Sequence, residues 1–471
     1  MDKNRAKKEV ERLYKDIYGV EPKIITLSAD GSSRKYYRLK GASHDEVVGT
    51  YNSDLSENRS FIDLAKYFHA AGIRVPEIFG ESEDKLCYLQ EDLGNVSLFS
   101  LLQTEKRIPL SKLALESLVD MQVSDEKEWR DKVFNPEFSE QQMKWDLNYF
   151  KYCFVKPSGI IFDEEKLEKD FDELTRRLCH ADNSVKGFMY RDFQSRNIMI
   201  KDDLPYFIDF QGGRKGLLLY DAVSFLWQAK AGFSYEEKEE LLDAYSKKLY
   251  EKRRVEKQVL LSLLDETVLL RTLQVLGAYG FRGLIQKKSQ FISSIPGALR
   301  NLQEMIDDGK MKAYPELIKI SRQLFNNPRF HSQSHDGLRL TVNSFSYKNG
   351  YPEDFTGNGG GFVFDCRSLP NPGRYEEYKK FTGMDKCVQD FFIQHEEIDK
   401  FLSPVVDIIE NSLKEYQKRG FTDLQVSFGC TGGQHRSVYC AERLAAMIAQ
   451  KELGISIMIN HREQEVEKII S

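Results

Sequence analysis

The spacing of apolar and polar positions changes character several times along the chain. Residues 1–20 repeat apolar positions at helical spacing between charges and predict an amphipathic helix. Lys23–Leu27 and Lys35–Leu39 alternate as strands around the turn Ala29-Asp30-Gly31-Ser32-Ser33, and a third short strand is expected near Val47–Tyr51. Phe61–Ala71 returns to helical period and stops at Gly72, and Lys85–Gln90 reads as another strand before Glu91-Asp92-Leu93-Gly94. Leu98 to about Leu178 is mostly helical. A hairpin follows, Asn197–Ile200 and Tyr206–Ile208, turning through Asp202-Asp203-Leu204-Pro205. Long helices then run from about Tyr235 to Leu324.

Residues 326–337, Asn-Asn-Pro-Arg-Phe-His-Ser-Gln-Ser-His-Asp-Gly, are polar and aperiodic and read as a linker. Beyond them, strands at Leu338–Phe345, Gly361–Asp365, Leu424–Phe428 and Ser456–Ile459 are interleaved with helices near Val388–Phe392, Phe401–Lys418 and Ser437–Gln450. The pattern divides the chain into a domain over 1–325, a linker over 326–337 and an α/β domain over 338–471.

Composition narrows the function class. With 471 residues, 41% of them apolar, each domain can bury a core. The 68 basic residues are matched by 73 acidic ones, which argues against a protein built mainly to grip nucleic-acid backbone or an anionic membrane. Seven scattered cysteines form no CxxC pair, so neither a disulfide framework nor a structural zinc site is expected. No apolar run approaches membrane-spanning length and the N-terminus lacks a signal-peptide core, so a cytoplasmic protein is expected.

The first chemical constellation lies between Phe188 and Gly212. Asp192 sits in a loop, Asn197 follows five positions on, and the second strand of the hairpin runs into Ile208-Asp209. Phosphoryl transfer needs this combination: one carboxylate to orient or deprotonate a hydroxyl, and an Asn and Asp to hold magnesium over the phosphates. Asp192 is therefore the expected catalytic residue, with Asn197 and Asp209 the expected metal ligands. Tyr220-Asp221 reads as a structural cap rather than a catalytic group.

The segment resembles the catalytic and metal segments of the aminoglycoside-phosphotransferase-like kinases, with Tyr190 in place of the usual loop His. The resemblance covers about residues 8–320. Asp30 to Arg38 is similar to the phosphate-covering turn of the AmgK-like anomeric sugar kinases, and Leu89 to Gly94 to the segment joining the two lobes, where backbone groups meet adenine. Arg271 to Gly277 and Phe291 to Pro296 match late helices of that branch, although Arg271 reads equally as a helix-surface charge. The resemblance implies a protein-kinase-like bilobal α+β domain that binds ATP through Gly31, Ser32, Ser33, Arg34, Glu91 and Leu93, with Mg2+ held by Asn197 and Asp209. It implies transfer of the γ-phosphate to a small hydroxyl compound, in the nearest branch the anomeric hydroxyl of N-acetylmuramate or N-acetylglucosamine in cell-wall sugar recycling. One departure stands out: Val47 to Asn52 contains no Lys, where such kinases place a Lys paired with a helix Glu. Arg34, Lys35 or Arg38 is the expected substitute.

The second constellation is Gly429-Cys430-Thr431-Gly432-Gly433-Gln434-His435-Arg436-Ser437, between an apolar strand and a helix. Backbone amides and the helix dipole converge there, and Arg436 can fork onto an anion. The spacing Cys-x5-Arg is also that of cysteine phosphatases, in which case Asp365 would have to act as general acid. The surrounding segments closely resemble the C-terminal domain of the RNase adapter RapZ over 338–471. That resemblance implies glucosamine-6-phosphate or a related sugar phosphate as ligand, held by Asp365, Arg367, Thr431, Gly432, Gly433, Gln434, His435, Arg436 and Ser437, and a protein or RNA partner. Gly373 stands where the family often has a His, and the 16 basic and 19 acidic residues from Leu338 onward oppose RNA binding.

The whole reads as an ATP-dependent amino-sugar kinase fused to a smaller α/β phosphosugar sensor, with no membrane partner. A non-catalytic nucleotide-binding regulator is the competing reading.

Overall fold

The computed structural model describes residues 3–27, 34–41, 46–286, 288–327, 330, 337–352, 354 and 360–470; of residues 3, 4, 289 and 290 only the backbone is described. The predicted turn at 29–33 lies outside the described residues, as does most of 326–337. The chain divides into two compact units, Met1–Gly280 with Ser294–Phe325, and Phe281–Ser293 with Asn326–Ser471.

The first unit opens on the helix Lys3–Tyr18 and an antiparallel sheet of β1 (Lys23–Leu27), β2 (Lys35–Lys40), β3 (Val47–Tyr51), β4 (Ile78–Glu81) and β5 (Cys87–Glu91), in the order β1-β2-β3-β5-β4. Period-2 alternation decides which way each strand faces. Leu39, Val47, Tyr51 and Leu89 pack under Ala6, Val10 and Tyr14 of the first helix. Gly49 belongs to the same face, and a Cβ there would lie 2.2 Å from Val10 Cγ1, so only glycine lets the helix approach this closely. The opposite face carries Tyr36, Arg38, Val48, Thr50, Tyr88 and Gln90, paired across β2, β3 and β5.

The helix Leu55–Ala70 begins six residues, nearly two turns, earlier than its apolar pattern suggests. Asp54 caps it by accepting from the amides of Ser56 and Glu57. The remainder of the unit is mostly helical, interrupted by two small antiparallel pairs: β6 (Lys186–Met189) with β9 (Arg214–Leu217), which flank the hairpin of β7 (Ile198–Lys201) with β8 (Leu204–Phe207). The β7–β8 turn is tighter than expected. Asp202 and Asp203 have φ of 52° and 57°, the left-handed pair of a two-residue hairpin turn, so Leu204 and Pro205 are strand and Asp209 lies beyond it.

The second unit is a five-stranded sheet in the order β11-β12-β10-β13-β14, from β10 (Arg339–Ser346), β11 (Phe362–Asp365), β12 (Asp423–Cys430), β13 (Ser456–His461) and β14 (Val466–Ile470). All neighbours are parallel except the β13–β14 edge pair. Leu340, Val342, Val426 and Phe428 form the central core with Ile409 and Leu413 of helix Glu396–Lys418 and Leu444 of helix Arg436–Ala449. The architecture is thus an α+β bilobal domain followed by a smaller α/β domain. Among the described residues no helix is long and apolar enough to cross a membrane.

Candidate functional sites

Phe210, next to Asp209, positions the first site. Its ring stacks on Phe61 at 4.9 Å and meets Phe68 edge-on at 5.8 Å, both from helix Leu55–Ala70, and Ser60 Oγ donates to Gln211 O. Anchored beside this cluster, Asp209 adopts φ 67°, a left-handed value that a non-glycine residue holds only when its surroundings impose it. Its Oδ1 accepts from Gln211 Nε2 at 2.8 Å, and its Oδ2 lies 3.4 Å from Asn197 Nδ2. Asn197 Nδ2 also donates to Asp192 O at 3.0 Å, so its amide oxygen is the end left to a cation. One network joins the three residues singled out from the sequence.

Arg34 completes it. Its Nη1 donates to Asp209 Oδ1 at 3.0 Å and its Nη2 to Glu57 Oε2 at 3.1 Å. The guanidinium is buried at 3% exposure and links the start of β2, helix Leu55–Ala70 and Asp209. Burial pushes the Asp209 carboxyl up, and Arg34 pulls it back. Of the expected substitutes for the strand Lys, Arg34 makes the helix-Glu pair. Arg38 instead holds Asp92 and Asn95. Glu57 is a member of this network that the sequence reading did not name; its signal is the position just after the Asp54 cap.

The loop carrying Asp192 is braced from below. Tyr190 is fully buried and donates its hydroxyl to Ile208 O, occupying the place of the usual His as a strut between loop and hairpin. Asp221 accepts from the amides of Tyr190 (2.8 Å) and Arg191 (2.9 Å) and from Gln122 Nε2 (2.9 Å). It sits inside the first turn of helix Leu218–Leu226, whose N-cap is Leu217, so it braces the loop rather than capping its own helix. Complete burial raises its carboxyl to about 7. Arg271, expected equally on a helix surface, is 8% exposed, with Nη2 3.9 Å from Asp192 Oδ1.

The residues expected at adenine are placed differently from one another. Glu91 lines a cleft of about 660 Å³ with Arg38, Val47, Phe79, Asp92 and Lys201, and its carboxylate is paired with Lys201 at 2.5 Å. Leu93 is buried beside this segment. None of Arg34, Asp192, Asn197 and Asp209 lines that cleft. Gly31, Ser32 and Ser33 lie outside the described residues. Among the described residues, no group of three or more His, Cys, Asp or Glu is placed to hold a metal ion. A magnesium ion bound by one Asp, one Asn and substrate phosphates needs no such group, so Asn197 and Asp209 fit it.

The second site follows β12. Gly433 turns the loop at φ 65°, where a Cβ would lie 2.9 Å from Ser346 N and 2.3 Å from Glu463 Cγ. Its amide donates to Cys430 Sγ at 3.2 Å, and Ser437 Oγ lies at the same distance from that sulfur. Gln434 Nε2 donates to Lys379 O and Phe381 O, and His435 bonds Tyr378 O at 3.0 Å. Thr431, Gly432, Gln434, His435 and Arg436 line a cleft of about 370 Å³ together with Cys430, Asn371, Gly373 and Lys379. Gly433, Ser437, Asp365 and Arg367 are not among its lining residues. Arg436 directs Nη1 at Arg367 O (2.8 Å) and Leu369 O (3.4 Å), so only its remaining nitrogens are left to an anion. Asp365 is held by a two-pronged pair with Arg367 that lowers its pKa, which makes it a poor proton donor and weakens the phosphatase reading.

The sequence pattern of the phosphotransferase enzyme family matches residues 23–256, and that of the RapZ C-terminal domain matches residues 338–465. Similar curated proteins include a nucleotide-binding protein of Thermotoga neapolitana, 32% identical over 186 residues that make up 40% of this chain and 60% of that protein. A nucleotide-binding protein of Idiomarina loihiensis is 30% identical over 231 residues, 48% of this chain and 77% of that one. The chain spans between 44% and 61% of the length of the Thermotoga proteins it matches. Similar solved structures include a choline kinase from Cryptosporidium parvum Iowa II (12% identity, TM-score 0.47, 69% of this chain and 100% of that chain). Another is amicoumacin kinase hAmiN in complex with AMP-PNP, Ca2+ and Ami (14% identity, TM-score 0.47, 70% of this chain and 94% of that one). The chain thus carries a domain of the phosphotransferase enzyme family at residues 23–256 and a RapZ C-terminal domain at residues 338–465.

Proposed function

We propose that the first domain, over 1–325, transfers the γ-phosphate of ATP to a small hydroxyl acceptor, an amino sugar such as N-acetylglucosamine or N-acetylmuramate phosphorylated at its anomeric hydroxyl, in cell-wall sugar recycling. The observation that carries the reading is the shared guanidinium of Arg34 between Glu57 and Asp209. The missing strand Lys was the argument for a non-catalytic regulator, and Arg34, just before β2, supplies a cation to a helix carboxylate in its stead. Asp192 orients the acceptor hydroxyl or takes its proton, on a loop braced by Asp221. Asn197 and Asp209 hold Mg2+, which when bound neutralises charge on the transferring phosphoryl group. Glu91 and Leu93 face the nucleotide base side.

The second domain, over 338–471 behind a linker at 326–337, binds glucosamine-6-phosphate or a related sugar phosphate at the 430–437 loop, and its occupancy reports amino-sugar status to the kinase or to a protein or RNA partner. The similar curated proteins are named for nucleotide binding, and that name leaves the second domain's ligand to experiment.

The test is phosphorus NMR of the full chain with magnesium-ATP and N-acetylglucosamine, N-acetylmuramate, glucosamine or an aminoglycoside in turn. A sugar 1-phosphate signal that is absent in Asp192→Ala is the expected result. ATP binding without transfer to any acceptor returns the domain to the regulator reading.

A further inference from the structure

Three arginines gather behind Asp192, and their charges are incompletely answered. Arg191 is paired with Asp146, which it holds through Nη2 at 2.9 and 2.8 Å, while its Nη1 is buried without a hydrogen bond. Arg214 has only neutral partners, Gln142 Oε1 at 2.7 Å and Gly212 O at 3.0 Å. Arg271 meets Tyr220 OH at 3.5 Å and Gln274, but its Nε is buried without a hydrogen bond. Its Nη2 stands 3.9 Å from Asp192 Oδ1, an ion-pair distance beyond hydrogen-bond range.

Three guanidinium groups therefore face two carboxylates, Asp146 and Asp192. Asp221, also within electrostatic reach of Arg271, is fully buried and already accepts three N–H bonds. A buried guanidinium with unmet donors costs folding free energy, and a bound anion restores it. The Asp192 side chain is 49% exposed and that of Arg271 10%, so an anionic group brought beside Asp192 would meet the Arg271 Nη2 edge. A site for a cationic acceptor would carry the opposite surplus.

We propose that the acceptor of the phosphotransferase domain bears an anionic group, a carboxylate or a phosphate, that Arg271 binds beside Asp192. This deepens the function proposed above and rests on it.

The experiment uses the full chain, magnesium-ATP and matched acceptors: an N-acetylhexosamine with and without a carboxyalkyl ether, and with and without a phosphate at a hydroxyl remote from the anomeric one. The acid-bearing member of one pair is expected to have the higher kcat/KM, by on the order of 10–100-fold, mostly through KM. Which pair shows it separates carboxylate from phosphate. In Arg271→Gln that preference collapses towards unity, and Arg271→Lys recovers part of it. Equal kcat/KM within both pairs in the wild type overturns the proposal. So does a preference that survives in Arg271→Gln while kcat drops equally for every acceptor, the signature of a residue that merely steadies Asp192. If Arg271→Gln fails to fold, the wild-type ratios and Arg271→Lys decide. ATP binding with no transfer to any acceptor defeats the phosphotransfer reading itself, an outcome distinct from equal transfer.

Discussion

Arg34, just before β2, reaches Asp209 at 3.0 Å with one nitrogen and holds Glu57 at 3.1 Å with the other. The face of β3 turned away from the first helix offers Val48 and Thr50 instead of a lysine. Arginine suits the relocated task, since a planar fork can address two carboxylates at once where an ammonium is a point charge.

Arg34→Ala is expected to lower kcat by about 10²-fold, the scale of removing one preorganised charged donor from a transfer site. Arg34→Lys should recover only part of that loss, because one ammonium does not span Glu57 and Asp209 together. Steady-state kinetics against ATP, with melting curves to exclude unfolding, check both.

Magnesium dependence should separate Asp209 from Asp192. Asp209→Asn raises the magnesium concentration needed for half-maximal rate, by about tenfold or more, since a neutral ligand replaces an anionic one. Asp192→Asn lowers kcat at saturating magnesium and leaves that midpoint in place. A magnesium titration of the rate distinguishes the two patterns.

Asp221 predicts a pH signature in stability. Its folded pKa, about 7, lies above the ordinary carboxylate value, so between pH 4 and 7 the native state binds more protons than the unfolded chain. Stability contributed by this group is present at the acid end and is lost as pH rises through 7. Asp221→Asn removes that slope. Because an amide has one acceptor oxygen, it also leaves at least one of the Tyr190, Arg191 and Gln122 donors unmet, at a cost of about 1–3 kcal/mol. Denaturant melts of both proteins at pH 5 and pH 8 measure both effects.

In the second domain, Arg436→Ala is expected to weaken glucosamine-6-phosphate binding by on the order of 10–100-fold, and to destabilise the domain by freeing the carbonyls of Arg367 and Leu369. Cys430→Ser should leave binding nearly intact, with no change in phosphate-ester hydrolysis. Calorimetry with the sugar phosphate, with inorganic phosphate as control, reads the first. Loss of a hydrolytic activity in Cys430→Ser would instead revive the phosphatase reading.

What the sequence made legible follows the range of the interactions. The first three strands were readable to within a residue because alternation is local, and β3 coincides with Val47–Tyr51. The short strands β4, β6 and β9, and the edge strand β14, were missed because their runs carry too little alternation of their own and are fixed by pairing with a partner strand. Asp192, Asn197 and Asp209 were found through spacing. Glu57 was not, because its role exists only through Arg34, 23 positions earlier. Arg271 was misplaced as readily to a surface as to a site, since nothing in its helix says that Asp192, far back in the chain, will lie beside it. The 430–437 loop was legible as an anion loop, yet which of its side chains line the cleft depended on carbonyls from 367–381 that claim Arg436, Gln434 and His435.

The two consecutive amides gathered by Asp221 make helix Leu218–Leu226 the reference frame of the reacting loop. The loop has little freedom to find its own height over the hairpin: Tyr190 ties it to Ile208, and one carboxylate fixes where it starts. A displacement of about 1 Å at a catalytic group can cost two orders of magnitude in rate. Drift in that helix would therefore reach Asp192 first, and under the function proposed above it would be read as a loss of rate.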